Sequence, residues 1–333
     1  MSMPQDTAGH PYDTLQPSLI LDAVETTGVR CDGRLLALNS YENRVFQVGL
    51  EDTEPVVVKF YRPGRWSDQA ILEEHAFGFE LDALEIPVVA PLRDADGISL
   101  HRWQGFRFAV FPRRGGHPPE LESPGHLQWL GRFIGRIHAV GAVRPFHHRP
   151  SLDLESFGHA SRRHLLDSLM LLPEVREAWA SISAAALEAA AGAFQRAGDF
   201  ARIRLHGDCH PGNILWTGRG PHFVDLDDCR GGPAMQDLWM LLSGDREAMA
   251  IQLGHVLAGY TEFRDFDPAE LHLVEALRTL RMLHHSAWLA QRWNDPAFPR
   301  AFPWFGSARY WQEQVVALRE QLALMDAPPL PWL

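Results

Sequence analysis

The stretch HGDCHPGNILW, residues 206–216, followed by DLDD at 225–228, decides how this sequence is interpreted. Glycine and proline interrupt the first segment, so it cannot form a continuous helix. The segments ILW and HFVDLD, which flank the turn TGRGP, are typical of two short strands. The pattern predicts a loop followed by a hairpin that together present Asp208, Asn213 and Asp225 from one compact scaffold.

These three residue types suit phosphoryl transfer from ATP. That chemistry needs magnesium held by hard oxygen ligands and a carboxylate placed against the attacking hydroxyl. Protein kinases carry an HRD motif, an Asn five residues after the Asp, and a metal-binding Asp after the next hairpin. Asp208, Asn213 and Asp225 stand in that order, with Gly207 in place of the Arg.

Two other kinds of site use the same loop, and both are disfavoured. A zinc site would need ligands whose spacings match no paired Cys or His pattern, namely His206, Cys209, His210, His222 and Cys229. A nucleophilic thiol at Cys209 would need His210 as its base, but adjacent side chains on an extended loop point apart. We therefore interpret Cys209 as a packing residue.

The composition is that of a folded globular protein, with 333 residues, 46% of them hydrophobic and 22% charged. The net charge of -11 argues against binding to nucleic acid or to an anionic membrane. No segment has the roughly 18 apolar residues that cross a bilayer, and the N-terminus lacks a secretion signal. Three cysteines are too few for a disulfide framework. We expect two lobes and a cytoplasmic location.

Lys59 is the only lysine among the 31 basic side chains. It lies in PVVVKFY, residues 55–61, whose alternation predicts a strand paired in a hairpin with RVFQVGL at 44–50. A single lysine among arginines suggests a site that requires a compact ammonium group. Chance is the alternative explanation.

Residues 67–84 are predicted to form a helix with Ser67 as its N-cap. Glu74 lies on the apolar stripe of this helix, and a buried carboxylate needs a partner. Lys59 is the nearest candidate along the chain, unless Glu74 merely lies at the edge of the stripe. Beyond residue 112 the sequence becomes largely helical by periodicity, so we place a boundary between 1–112 and 113–333.

The motif HGDxxxxN with a following Asp resembles the aminoglycoside and choline phosphotransferase superfamily. Four longer segments together resemble one branch of it, the bacterial stress response kinase A family: LHGDCHPGNILW, FVDLDDCRGGPAMQDLWMLLSGDR, VVVKFYRPGRWSDQAILEEHAF and RMLHHSAWLAQRWNDPAFPRAFPWF. The resemblance covers roughly residues 15–325.

This resemblance implies an α+β, bilobal protein-kinase-like fold. Residues 1–112 would form a small β-rich nucleotide-binding lobe with one helix, and 113–333 a larger, mainly helical catalytic and substrate lobe. It also implies a monomeric, cytoplasmic serine/threonine protein kinase of the stress response that uses ATP and Mg2+ and phosphorylates a protein acceptor. A small-alcohol kinase acting on homoserine, choline or aminoglycosides stays open, because no activation segment follows DLDD. A catalytically silent nucleotide-binding module is disfavoured by the intact transfer residues.

The resemblance also implies a role for each site residue. Lys59 would hold the ATP phosphates and Glu74 would orient it. Asp208 would act as proton acceptor, and Asn213 and Asp225 would bind magnesium. Asp237, in QDLW, would brace the catalytic loop through backbone amides.

Three positions leave alternatives open. The phosphate-covering turn LNSYENRV lacks glycine, so Ser40 and Asn43 either contact phosphate or are simple turn residues. Asp227, two residues after Asp225, would share its strand face and either bind a second magnesium or support the loop, which we favour. The stretch 278–293 disfavours aminoglycoside and choline acceptors and is compatible with an anionic or phosphorylated partner, unless it is only a surface helix, because it offers the basic residues Arg278, Arg281, His284, His285 and Arg292.

Overall fold

The computed structural model describes residues 11–332, which form two compact units. The first contains the chain up to Leu72, Ala90–Arg113 and Gln291–Pro303, and the second contains Glu73–Val89, Arg114–Ala290 and the chain from Trp304. Most of the N-terminal stretch in which we expect no secretion signal lies outside the described residues. The division of the chain at residue 112 stays a proposal.

The first unit is built on a five-stranded antiparallel sheet in the order β1-β2-β3-β5-β4. Its strands are β1 Cys31–Ala37, β2 Arg44–Leu50, β3 Val56–Phe60, β4 His101–Trp103 and β5 Phe106–Pro112. Helix α1, Pro17–Glu25, packs its apolar face against this sheet, and the two form one hydrophobic core. The predicted hairpin of β2 and β3 is confirmed, with Val45 opposite Lys59.

Helix α2, Asp68–Ala83, begins as predicted. The hydroxyl of Ser67 accepts a hydrogen bond from the Ala70 amide at 3.1 Å, which satisfies one of the amides left free at a helix start. Ile71 and Phe77 are fully buried, so the apolar stripe of this helix is a packing face.

The second unit is mainly helical. Its helices include α3 Pro124–Gly141, α4 Ala160–Asp167, α5 Pro173–Ala197, α6 Met235–Trp239, α7 Arg246–Tyr260, most of α8 Val274–Arg292, and α10 Ala308–Asp326. Helix α9, Ala297–Ala301, belongs to the first unit. Two small sheets accompany them: β6 Ile203–Leu205 pairs with β9 Arg230–Gly232, and β7 Ile214–Thr217 pairs with β8 Gly220–Phe223. The α+β class is therefore confirmed.

Helices α3 and α7 approach closely because glycine lines their contact. A Cβ atom on Gly131 would overlap the carbonyl oxygen of Val256, and one on Gly259 would overlap that of Gln128. Small residues at such a crossing let two helix backbones pack without displacing each other. This contact fixes α3, which carries His138, against the core of the second unit.

One predicted element ends earlier than expected. Strand β8 stops at Phe223, and a short 3-10 helix covers Leu226–Asp228. Asp225 and Asp227 therefore do not share a strand face, and that prediction is wrong. Across residues 11–332, the helices are too short or too polar to span a lipid bilayer.

Candidate active site

Asp237 of α6 fixes the loop that follows β6. Its carboxylate accepts hydrogen bonds from the backbone amides of His206 and Gly207, each at 2.8 Å, and it is 1% exposed. The ring of His138 on α3 lies 3.0 Å from the same carboxylate. Because a carboxylate only accepts, the Nε2 atom of His138 must donate. The predicted bracing of the loop by Asp237 is confirmed.

His206 and Gly207, which begin the loop, each have a structural role there. His206 is fully buried, and its Nε2 atom donates to the carbonyl of Val224 at 2.9 Å, which ties the loop to the chain just before Asp225. Gly207 has a φ of +84°, where any other side chain is strained, and a Cβ atom there would overlap the Asp228 carbonyl oxygen. His206 is therefore a structural residue of the loop, which leaves the zinc interpretation without its first ligand.

Asp208 and Asn213 come together at the tip of the loop. The amide nitrogen of Asn213 donates to the backbone carbonyl of Asp208 at 3.0 Å and lies 3.3 Å from its Oδ2 atom. The side-chain oxygen of Asn213 is thereby the atom left to act as a metal ligand. His210 accepts a bond from the Gly212 amide through Nδ1 at 3.0 Å, and its Nε2 atom lies 3.5 Å from Asp208.

Arg281 on α8 is a site residue whose contact the sequence did not reveal. Its Nη1 atom donates to Oδ1 of Asp208 at 2.5 Å. Burial by itself would raise the pKa of Asp208, but the hydrogen bond from His210 and the charge of Arg281 outweigh it and lower the pKa to about 2. Asp208 is therefore ionised throughout the physiological pH range.

Asp225 and Asp227 have different surroundings. Asp225 is exposed and adopts the left-handed conformation, with φ 61° and ψ 62°, which Asp tolerates better than most residues. Asp227 is buried, and its backbone carbonyl accepts a hydrogen bond from Arg149. The exposed carboxylate suits a metal ion, whereas the buried one suits support of the loop, the role that we favoured from the sequence.

The donor set fits magnesium. Asp225 offers a carboxylate and Asn213 an amide oxygen, both hard donors of the type that Mg2+ prefers. In the part of the chain that the structure describes, no group of three or more His, Cys, Asp or Glu side chains could hold a metal alone. That is typical of magnesium in kinases, which takes the rest of its ligands from substrate phosphates and water.

Lys59 and Glu74 are both buried, at 6% and 3% exposure. Lys59 lies in the middle of the sheet, opposite Val45 on one side and Ala109 on the other. Glu74 lies 3.7 Å from the guanidinium of Arg149, so it is not at an exposed edge of its helix. The pairing of Glu74 with Lys59 stays a prediction.

The glycine-poor turn is held by side-chain contacts within the first unit. Ser40 donates to the Asn43 carbonyl at 3.2 Å, and the amide oxygen of Asn43 accepts from the Arg62 amide at 3.1 Å. Arg62 also bonds to Asp295 at 2.5 Å and lies 2.9 Å from Glu42. The turn is therefore fixed by hydrogen bonds rather than by glycine, and the phosphate contacts of Ser40 and Asn43 stay predictions.

The thiols near the loop are not nucleophiles. Cys209 and Cys229 are fully buried. Burial raises the pKa of Cys229 to about 12 and that of Cys209 well above its ordinary value. Because the thiolate is the reactive species, both residues act as packing groups.

Comparisons with known proteins agree with this geometry. Residues 34–274 match the phosphotransferase enzyme family (APH). The chain is 46% identical over 319 residues to stress response kinase A of Escherichia coli (strain K12), and 44% identical to "Serine/threonine protein kinase RdoA" of Salmonella typhimurium (strain LT2), covering 96% of each chain in both cases.

Among solved structures, the amicoumacin kinase hAmiN in complex with AMP-PNP, Ca2+ and Ami superposes with a TM-score of 0.71 at 18% identity, covering 96% of this chain and 95% of that one. At this identity the likeness concerns the fold alone. The family match and the two bacterial relatives show that this chain belongs to the phosphotransferase enzyme family.

Proposed function

We propose that the protein is an ATP-dependent serine/threonine protein kinase of the bacterial stress response. The observation that carries the proposal is the loop braced by Asp237, which holds Asp208 and Asn213 in contact within a chain 44–46% identical to kinases named for that response. A cytoplasmic location, a monomeric state and a protein acceptor belong to the same proposal.

Each residue has a defined part in the proposed reaction. Asp208 accepts a hydrogen bond from the acceptor hydroxyl and aligns it for in-line attack on the γ-phosphorus of ATP. With a pKa of about 2 it is a weak base, so positioning outweighs proton abstraction until the new P–O bond is largely formed. Asn213 and Asp225 would hold magnesium, which when bound neutralises phosphate charge. Lys59 binds the phosphate oxygens and Glu74 orients it.

The small-alcohol kinase alternative has less support. Two solved structures with small-molecule kinase names, the amicoumacin kinase and an aminopropanol kinase, are 18% identical, whereas the stress response kinases are 44–46% identical over 96% of the chain. Arg281 at the catalytic carboxylate also opposes cationic acceptors such as choline or aminoglycosides.

The test is transfer of labelled phosphate from ATP with magnesium, using the protein itself, a generic protein acceptor, and a panel of small alcohols and aminoglycosides. We expect label on Ser or Thr, with the rate reduced about 10²–10⁴-fold in Asp208→Asn. The exposed carboxylate of Asp82 provides the control variant Asp82→Asn, which should retain full activity. Label on a small alcohol alone would refute the protein-kinase proposal.

A further inference from the structure

Arg281 occupies an unusual position for an arginine. Its contact with Asp208 is its only hydrogen bond or ion pair to any residue within 11–332, and its side chain is 35% exposed. The Nε and Nη2 atoms of the guanidinium therefore remain available as donors.

Other arginines around the loop have structural partners. Arg149 is buried and donates to the backbone carbonyls of Cys229 and Asp227. Arg230 is buried and donates to the Asp228 backbone and carboxylate. These contacts hold the loop together, whereas Arg281 has as its only partner among the described residues the carboxylate that we assign to the acceptor hydroxyl.

The position of Arg281 brings it close to any acceptor. A hydroxyl activated by Asp208 must lie within about 3 Å of that carboxylate. The guanidinium of Arg281 lies 2.5 Å from the same group. Side chains that flank the acceptor hydroxyl would therefore come within roughly 5–7 Å of a fixed positive charge, a range where Coulomb energies exceed thermal energy.

The neighbouring side chains leave Arg281 as the cation that lies beside the ionised carboxylate of Asp208. His285, one turn further along α8, is neutral at pH 7 because burial and then the charge of Arg281 lower its pKa to about 4. His284 stacks on Phe157 with ring centroids 4.0 Å apart. The Asp228 carboxylate is paired with Arg230 at 2.6 Å.

Resting on the proposed function, we propose that Arg281 determines acceptor specificity, by binding a carboxylate that flanks the acceptor hydroxyl and by opposing a cation at the same place. The acceptor class is thus a Ser or Thr in an acidic segment. An anion a few ångströms from a partly exposed guanidinium should improve kcat/KM about tenfold, and a cation should reduce it by a similar factor.

The experiment uses three peptides that differ only in the residues on both sides of one Ser: Asp, Gln or Lys. D-glycerate, glycerol and choline provide the same charge series without a peptide. Wild type is compared with Arg281→Gln, with Arg281→Lys, and with Arg309→Gln, which removes one charge from an exposed arginine of α10. The readout is the ratio of kcat/KM between acceptors for each variant, which a general loss of folding would not change.

We expect wild type and Arg309→Gln to prefer the acidic over the neutral acceptor about tenfold, with the cationic acceptor lowest. Arg281→Gln should reduce the ratio to about twofold or less, and Arg281→Lys should keep most of it. A flat wild-type series overturns the inference, as does a ratio that survives Arg281→Gln. An equal loss on all acceptors, with the ratio intact, also overturns it and assigns Arg281 to the transferred phosphoryl group.

The small acceptors separate this inference from the proposed function. If no peptide or protein is labelled but D-glycerate exceeds glycerol and choline, the protein-kinase proposal fails and the role of Arg281 stands. If peptides are labelled without any charge order, the kinase proposal stands and the role of Arg281 fails. No transfer to any acceptor refutes both.

Discussion

The substitution Asp237→Asn tests the support of the loop that carries Asp208. One carboxylate, 1% exposed, accepts two backbone amides at 2.8 Å and an imidazole nitrogen at 3.0 Å. Asparagine keeps one acceptor oxygen and introduces an NH2 group that must face a donor. At least one buried donor therefore loses its partner.

The cost follows from these contacts. Hydrogen bonds to a charged group contribute about 1.5–3 kcal/mol each, and breaking a buried charged contact costs about 3–5 kcal/mol. We expect Asp237→Asn to lower the free energy of unfolding by about 3–5 kcal/mol, a large part of a typical total of roughly 5–15 kcal/mol. Because the loop carries Asp208, kcat should fall by about 100-fold or more, with a smaller change in the KM for ATP.

Urea unfolding followed by circular dichroism measures the first quantity. Activity should be measured at low temperature, where near-ultraviolet dichroism confirms that the variant is folded. Asp82→Asn, at an exposed carboxylate, serves as the control and should change the unfolding free energy by less than about 0.5 kcal/mol. A loss below about 1 kcal/mol in Asp237→Asn, with kcat unchanged, would refute the bracing role.

Three further predictions test packing and charge burial. Gly131→Ala should destabilise the second unit by about 3 kcal/mol in urea unfolding, because its Cβ would meet a backbone carbonyl of α7. In the control Gly254→Ala the Cβ would meet no atom within 4 Å among the described residues, so this variant should be stabilised by about 0.5–1 kcal/mol. Equal effects of the two substitutions would refute this account. Burial raises the pKa of Glu270 from 4.5 to about 7, so its stabilising contribution is complete below pH 4.5 and is lost as pH rises through 7. Between pH 5 and pH 8, wild type should lose roughly 2 kcal/mol more unfolding free energy than Glu270→Gln, and parallel pH profiles would contradict the shift. Asp295→Asn removes a buried charge that Arg62 contacts at 2.5 Å. Because Glu42 still lies 2.9 Å from Arg62, we expect a cost of about 1.5–3 kcal/mol, and a loss below about 0.5 kcal/mol would count against this pair.

Short-range sequence patterns predicted much of the fold. Alternation predicted β2 and β3, and the apolar stripe with its Ser67 cap predicted α2, because side-chain period and capping are local properties of the chain. Local signals were weaker where elements are short. The predicted strand through Asp225 instead ends at Phe223, because the left-handed conformation at Asp225 turns the chain out of the ladder.

The candidate site also has a part that the sequence predicts and a part that only the tertiary structure shows. The order of Asp208, Asn213 and Asp225 is written in the sequence and indicated phosphoryl transfer before any contact was known. The contact of Arg281 with Asp208 cannot be seen in the sequence, because 72 residues separate the two along the chain. A basic helix has the same sequence pattern whether it lies in solvent or against the carboxylate of Asp208. Only the packing of α8 in the second unit decides that, because side-chain periodicity sets which face a residue shares and not which distant group that face meets.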